Sequence, residues 1–164
     1  MYGWVLLFFD LCRFRKGPQD LPYSQALLLS SITAYAILGF LMLYIESGWF
    51  NAIMQVSVGA LLLLAFAKII LLISRKPGRF VQTSSALFGT DALISFFAIP
   101  IIAGMTTGRV SMLSFAAMVA LMIWNWLIIG HILRHALSET FSFGLGIAFL
   151  YIMASYWVMA QLFP

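Results

Sequence analysis

A chain of 164 residues that is 63% hydrophobic and only 9% charged, with a mean hydropathy of +1.04, is too apolar to fold as a soluble domain with a polar surface. Its formal charge of +4 sits in short clusters and not on a polar face interleaved with aromatics, which excludes nucleic acid as a partner and points to membrane lipids. With Cys12 as its one cysteine, the chain has no internal disulfide, CxxC pair or cysteine-rich metal site.

The first apolar run, Met1 to Cys12, is long enough as a helix to cross about half of a hydrocarbon core roughly 30 Å thick, so it reads as an interfacial or re-entrant helix. Its positive charges follow it and no charged n-region precedes it, unlike a cleavable signal. Asp10 and Arg13 are spaced to pair across one turn. Arg13, Arg15 and Lys16 close this element, residues 1–16. In Gly17-Pro18-Gln19-Asp20-Leu21-Pro22 two prolines and a glycine forbid a continuous helix, making 17–23 a stiff connector.

Residues 24–164 read as five transmembrane helices, giving an all-α integral membrane protein. Ser24 caps a first span ending near Glu46-Ser47-Gly48, and Asn51 is placed to cap a second from Ala52 to Ser74. A basic turn, Arg75-Lys76-Pro77-Gly78-Arg79, leads to a third span from about Phe80, which Pro100 should kink or end near Met105. Thr106-Thr107-Gly108-Arg109 reads as a short loop before a fourth span from Ser111 to about Arg134. Ser138 is placed to cap a fifth that reaches Leu162. Loops this short predict that sequential helices pack as antiparallel neighbours. Arg13, Arg15, Lys16, Arg75, Lys76, Arg79 and Arg134 fall on one side of this arrangement, with Lys68 toward it, and Arg109 alone on the other. That asymmetry predicts a cytoplasmic amino terminus and an external carboxyl terminus.

The chemistry-bearing residues lie within the spans. Lys68 sits roughly 9 Å from the basic end of its helix and Asp91 roughly 10 to 16 Å from the start of the next, so a salt bridge between them is geometrically allowed. An unpaired charge at such depth costs at least about a few kcal/mol, which makes Asp91 either a functional group or one half of a structural pair. Thr83, Ser84, Thr90 and Asp91 fall in one helical arc that should face other helices or a wet crevice. Asn125 and His131 belong to the same half of the membrane, so Lys68, Thr90, Asp91, Asn125 and His131 form a candidate intramembrane polar site, with proton transfer as one reading. His131 and His135 are one turn apart, but Glu139 would lie about 12 Å from His131, and two ligands make no metal site. Arg75, Lys76 and Arg79 are candidate headgroup contacts. Ser142 with Gly146 and Gly144 with Ala148 are small-residue pairs that permit close helix approach within or between protomers. No phosphate loop, GxGxxG, HExxH, nucleophile elbow or CxxCH is present, so neither an enzyme nor a cofactor is expected.

Arg79-Phe80-Val81-Gln82-Thr83 after a Gly-containing basic turn, Pro100 within the third span, and Trp124-Asn125-Trp126-Leu127-Ile128-Ile129-Gly130-His131 running through Arg134-His135-Ala136-Leu137-Ser138 into the last span resemble the Yip1-domain family, particularly its small bacterial members. The resemblance implies a five-span fold. Eukaryotic relatives are associated with vesicle traffic and Rab GTPases and carry a long cytosolic amino-terminal region, where this chain has a short apolar helix. The expected role is that of a non-enzymatic accessory or assembly protein that binds another integral membrane protein. A small proton-coupled transporter and a lipid-handling protein are the alternatives.

Overall fold

The computed structural model describes residues 2–106 and 111–163, so the loop containing Thr107, Gly108 and Arg109 lies outside the described residues. These form six helices and no strand: α1 (Tyr2–Cys12), α2 (Gln25–Ser47), α3 (Trp49–Ile73), α4 (Phe80–Thr106), α5 (Met112–Leu137) and α6 (Phe141–Leu162). Single 3-10 turns occupy Pro18–Asp20 and Pro77–Arg79. The last five helices contain 22 to 27 residues, about 33 to 41 Å of apolar helix, which is enough to cross a hydrocarbon core. The chain is a multi-pass membrane protein with five spans and a short amino-terminal helix.

The helix ends follow local chemistry, with two departures from the sequence expectation. Ser24 Oγ accepts from Leu27 N at 3.3 Å and Ser111 Oγ from Ser114 N at 3.0 Å, each satisfying an orphan donor. Between α2 and α3 the turn is the single residue Gly48, at φ +78, so Asn51 lies inside α3 and caps nothing. Ser138 does not cap α6. It ends α5 in the left-handed region at φ 57, with Glu139 N donating to Arg134 O at 2.9 Å, and Thr140 caps α6 by accepting from Phe143 N at 3.4 Å. Pro100 lies inside α4, which continues through it to Thr106.

α4 is the central helix. Half of its most apolar stretch is buried, against 11 to 22% for the other spans, and it packs against α1, α2, α3 and α5. The most extensive packing joins α2 to α4, two helices that are not sequential. As alternate spans they run in the same direction; Ser30 and Leu38 of α2 and Gly89 and Phe96 of α4 line one groove, and the Tyr35 and Phe88 rings meet edge to face at 5.1 Å. Packing of sequential neighbours alone is therefore incomplete as a description of the bundle. Small side chains line this groove from both helices, Ala34 of α2 and Ala92 of α4.

α1 packs alongside the spans, not across their ends. Phe8 covers Gly89, where an added Cβ would collide with its ring, and Trp4 reaches the groove that Leu38 and Phe96 line. Leu11 and Cys12 are buried. Trp124 Nε1 donates to Cys12 O at 3.0 Å and His131 Nε2 to Lys16 O at 2.9 Å, so α5 holds the carboxyl end of this short helix. The connector is locked by Gly17 N donating to Asp20 Oδ2 at 2.7 Å and by Gln82 Nε2 donating to Leu21 O at 2.6 Å. The expected Asp10 to Arg13 pair is replaced by Asp10 to Lys16 at 3.6 Å, while Arg13 stacks over Phe9.

Candidate functional site

Asp91 comes from the middle of α4, where the polar arc that begins at Thr83 turns inward. All five spans converge there on a cavity of about 200 Å³. Tyr35 of α2, Leu63 of α3, Asp91 of α4, Asn125 of α5, and Tyr151 and Ser155 of α6 line it. Gly59 makes room for the Tyr35 hydroxyl, which an added Cβ would meet at 2.7 Å.

Within this cavity Asn125 Nδ2 donates to Asp91 Oδ1 at 3.3 Å. Asn125 Oδ1 is buried with no hydrogen-bond partner. Against a deprotonated Asp91, turning the amide over would set two acceptor oxygens against each other, and Nδ2 is the atom that faces the carboxyl group. The result is a partly open cavity between the helices, in which the oxygens of a carboxyl group, an amide and three hydroxyls stand among Leu63, Leu87, Ile129 and Ile152. A buried acceptor without a partner is costly, and a ligand carrying positive charge or donor hydrogens relieves it.

The five residues expected to form one polar site separate into three places. Asp91 and Asn125 meet. Lys68 is exposed on α3 and makes no ion pair with Asp91; among the described residues the ion pair is that between Lys16 and Asp10. The lysine stem is long enough to carry its ammonium toward the nearer end of the helix, which removes the need for a buried partner. Thr90 is buried but bonds back to Ala86 O at 2.8 Å in its own helix. His131 is buried under Phe14 and serves the connector through Lys16 O. It does not reach the Asp91 pocket.

The expected headgroup contacts also divide. Lys76 donates to Leu137 O, and Arg79 Nη1 donates to His135 O at 3.1 Å, Ala136 O at 3.0 Å and Ser138 Oγ at 2.9 Å. Both cations therefore cap the carboxyl end of α5, where the helix presents carbonyls and partial negative charge. Arg75 stays exposed. Of the small-residue pairs, Gly144 and Ala148 are buried against α5, and a Cβ at Gly144 would strike the Gly130 carbonyl. Ser142 and Gly146 face outward, with nothing within 4 Å of a Cβ built at Gly146.

Tyr35, Tyr151 and Ser155 were not singled out from the sequence, because a tyrosine or serine in an apolar run carries no sign of which face it presents. The Trp126 indole donates to Leu145 O at 3.0 Å and joins α5 to α6. No family model, curated protein or solved structure matches the chain.

Proposed function

We propose that this chain is a small carrier of a bacterial inner membrane, with its amino terminus cytoplasmic, that takes a proton or small monovalent cation into the five-helix cavity at Asp91. One observation carries the reading: Asp91 and Asn125, whose amide oxygen is buried without a partner, line the same cavity between the helices, to which every span contributes. Oxygen donors of this kind suit a hard cation or a hydronium ion, and a cavity of about 200 Å³ limits the cargo to something small. Lys68 has no part in the site. The test is flux in liposomes containing the purified protein, read with an internal pH dye and with radioactive sodium. Wild-type and Lys68→Leu proteins should dissipate one of the two gradients and Asp91→Asn should not. Equal flux through wild type and Asp91→Asn, or none of either ion through wild type, would end the proposal.

A second reading follows from α6. The outward Ser142 and Gly146 pair is a place for another helix to approach closely, which supports an accessory protein of Yip1-like architecture bound to a second membrane protein or to its own copy. Gly146→Leu should then remove a partner that copurifies with wild type in mild detergent. Unchanged copurification would discard this face.

A further inference from the structure

We infer that the basic end of the bundle carries a second ligand site, separate from Asp91, which binds a phosphate oxyanion between Arg79, Arg134 and His135. The connector, the turn before α4, the end of α5 and the start of α6 frame an open cavity of about 630 Å³ there, and Gln19, Arg79, Arg134, His135, Glu139 and Thr140 are among its lining.

The donors are fixed in place by contacts already made. Arg79 directs Nη1 at three oxygens of the α5 terminus, which leaves the edge formed by Nε and Nη2 for two oxygens side by side. Arg134 lies over the Phe141 ring at 5.8 Å, so its guanidinium plane is held without being neutralised. Neither arginine has an ion pair among the described residues. Gln19 Nε2 lies 3.4 Å from His135 Nδ1, which holds the imidazole in the lining of the same cavity as the two guanidiniums. The positive end of α6, a helix of 22 residues, opens beside Thr140.

An independent feature marks the floor of the same place. A recess of about 10 Å³ shares Gln19, Arg79 and His135 with the cavity and reaches Thr83, which is fully buried and whose hydroxyl has no hydrogen-bond partner. That volume is the size of one water, which would link the hydroxyl to a ligand above it. Glu139 is in the lining too, but two guanidiniums stand against its one carboxylate, and it pairs with neither.

The site lies where the apolar spans begin, beside Phe80 and Phe141, the level at which lipid phosphates surround such a protein. A phospholipid phosphodiester and a soluble phosphate share the recognised chemistry, and the experiment separates them. Detergent-purified protein is titrated with phosphatidylglycerol and with phosphatidylcholine and read by native mass spectrometry, and its thermal unfolding is compared in inorganic phosphate and in chloride of equal ionic strength. Arg134→Gln and, as a variant that keeps a ring beside His131, His135→Phe should each weaken binding about tenfold, while Arg75→Gln, outside the cavity, should not. Retention of phosphatidylglycerol assigns the site to lipid; a thermal shift in phosphate alone assigns it to a soluble ligand. Equal binding by wild type and both cavity variants, or an equal loss in Arg75→Gln, overturns the inference.

Discussion

Asn125 Nδ2 donates to Asp91 Oδ1 at 3.3 Å across the α4 to α5 interface, while Lys68 sits exposed on α3. The half-buried carboxyl group is thus held by a neutral amide and not by a cation. A neutral partner orients it without supplying a countercharge.

Stability should report this pairing directly. In double-mutant cycles scored by thermal unfolding in detergent, Asp91→Leu and Asn125→Leu should be coupled by about 0.5 to 3 kcal/mol, because each removes the other's partner. Lys68→Leu should be within about 0.5 kcal/mol of wild type and additive with Asp91→Leu. A coupling between Lys68 and Asp91 above that range would mean that the two charges meet.

The two small-residue pairs of α6 should behave oppositely. Gly144→Val drives a side chain into the Gly130 carbonyl and should cost about 1 to 3 kcal/mol or more, since backbone cannot step aside as a flexible side chain can. Gly146→Val meets open space and should change unfolding little. Equal losses at the two positions would contradict the packing of α6 on α5.

At the basic turn, Arg79→Ala strips a charged donor from the carbonyls of His135 and Ala136 and should lower stability by about 1.5 to 3 kcal/mol. Arg75→Ala should be silent within about 0.5 kcal/mol. Amide exchange of the last turn of α5 should rise in the first variant and not in the second. Protection unchanged in Arg79→Ala would show that the cap is dispensable.

The position of α1 is checked by its own cysteine. Cys12 is buried, so a maleimide should leave the wild-type protein unlabelled. Gly89→Val pushes the Phe8 ring out of its seat, and Cys12 should then react. Against this silent background a cysteine at Gly78, in open surroundings, and one at the exposed Asn51 should label from opposite sides of the membrane, Gly78 from the cytoplasm. Labelling of both from one side would break the alternation of the spans.

By itself the sequence determined the five spans, the short helix before them and the basic turn, because apolar runs of about 20 residues and the charges that end them are local properties read along the chain. The Ser24 cap and the inward-facing arc of Thr83 and Ser84 were legible for the same reason, being set within a few residues, whereas Asn51 and Ser138 were expected as caps and are not. Partnerships across helices were not. Depth measured along each helix put Lys68 level with Asp91, but level is not direction, and rotation of α3 about its axis turned the lysine outward. That rotation, and the choice of α2 as the main neighbour of α4, depend on how small and large side chains interlock over whole helix faces. Only that packing joined Asp91 to Asn125, brought Tyr35 and Tyr151 to the same cavity, sent His131 to the connector, and turned Lys76 and Nη1 of Arg79 to the end of α5.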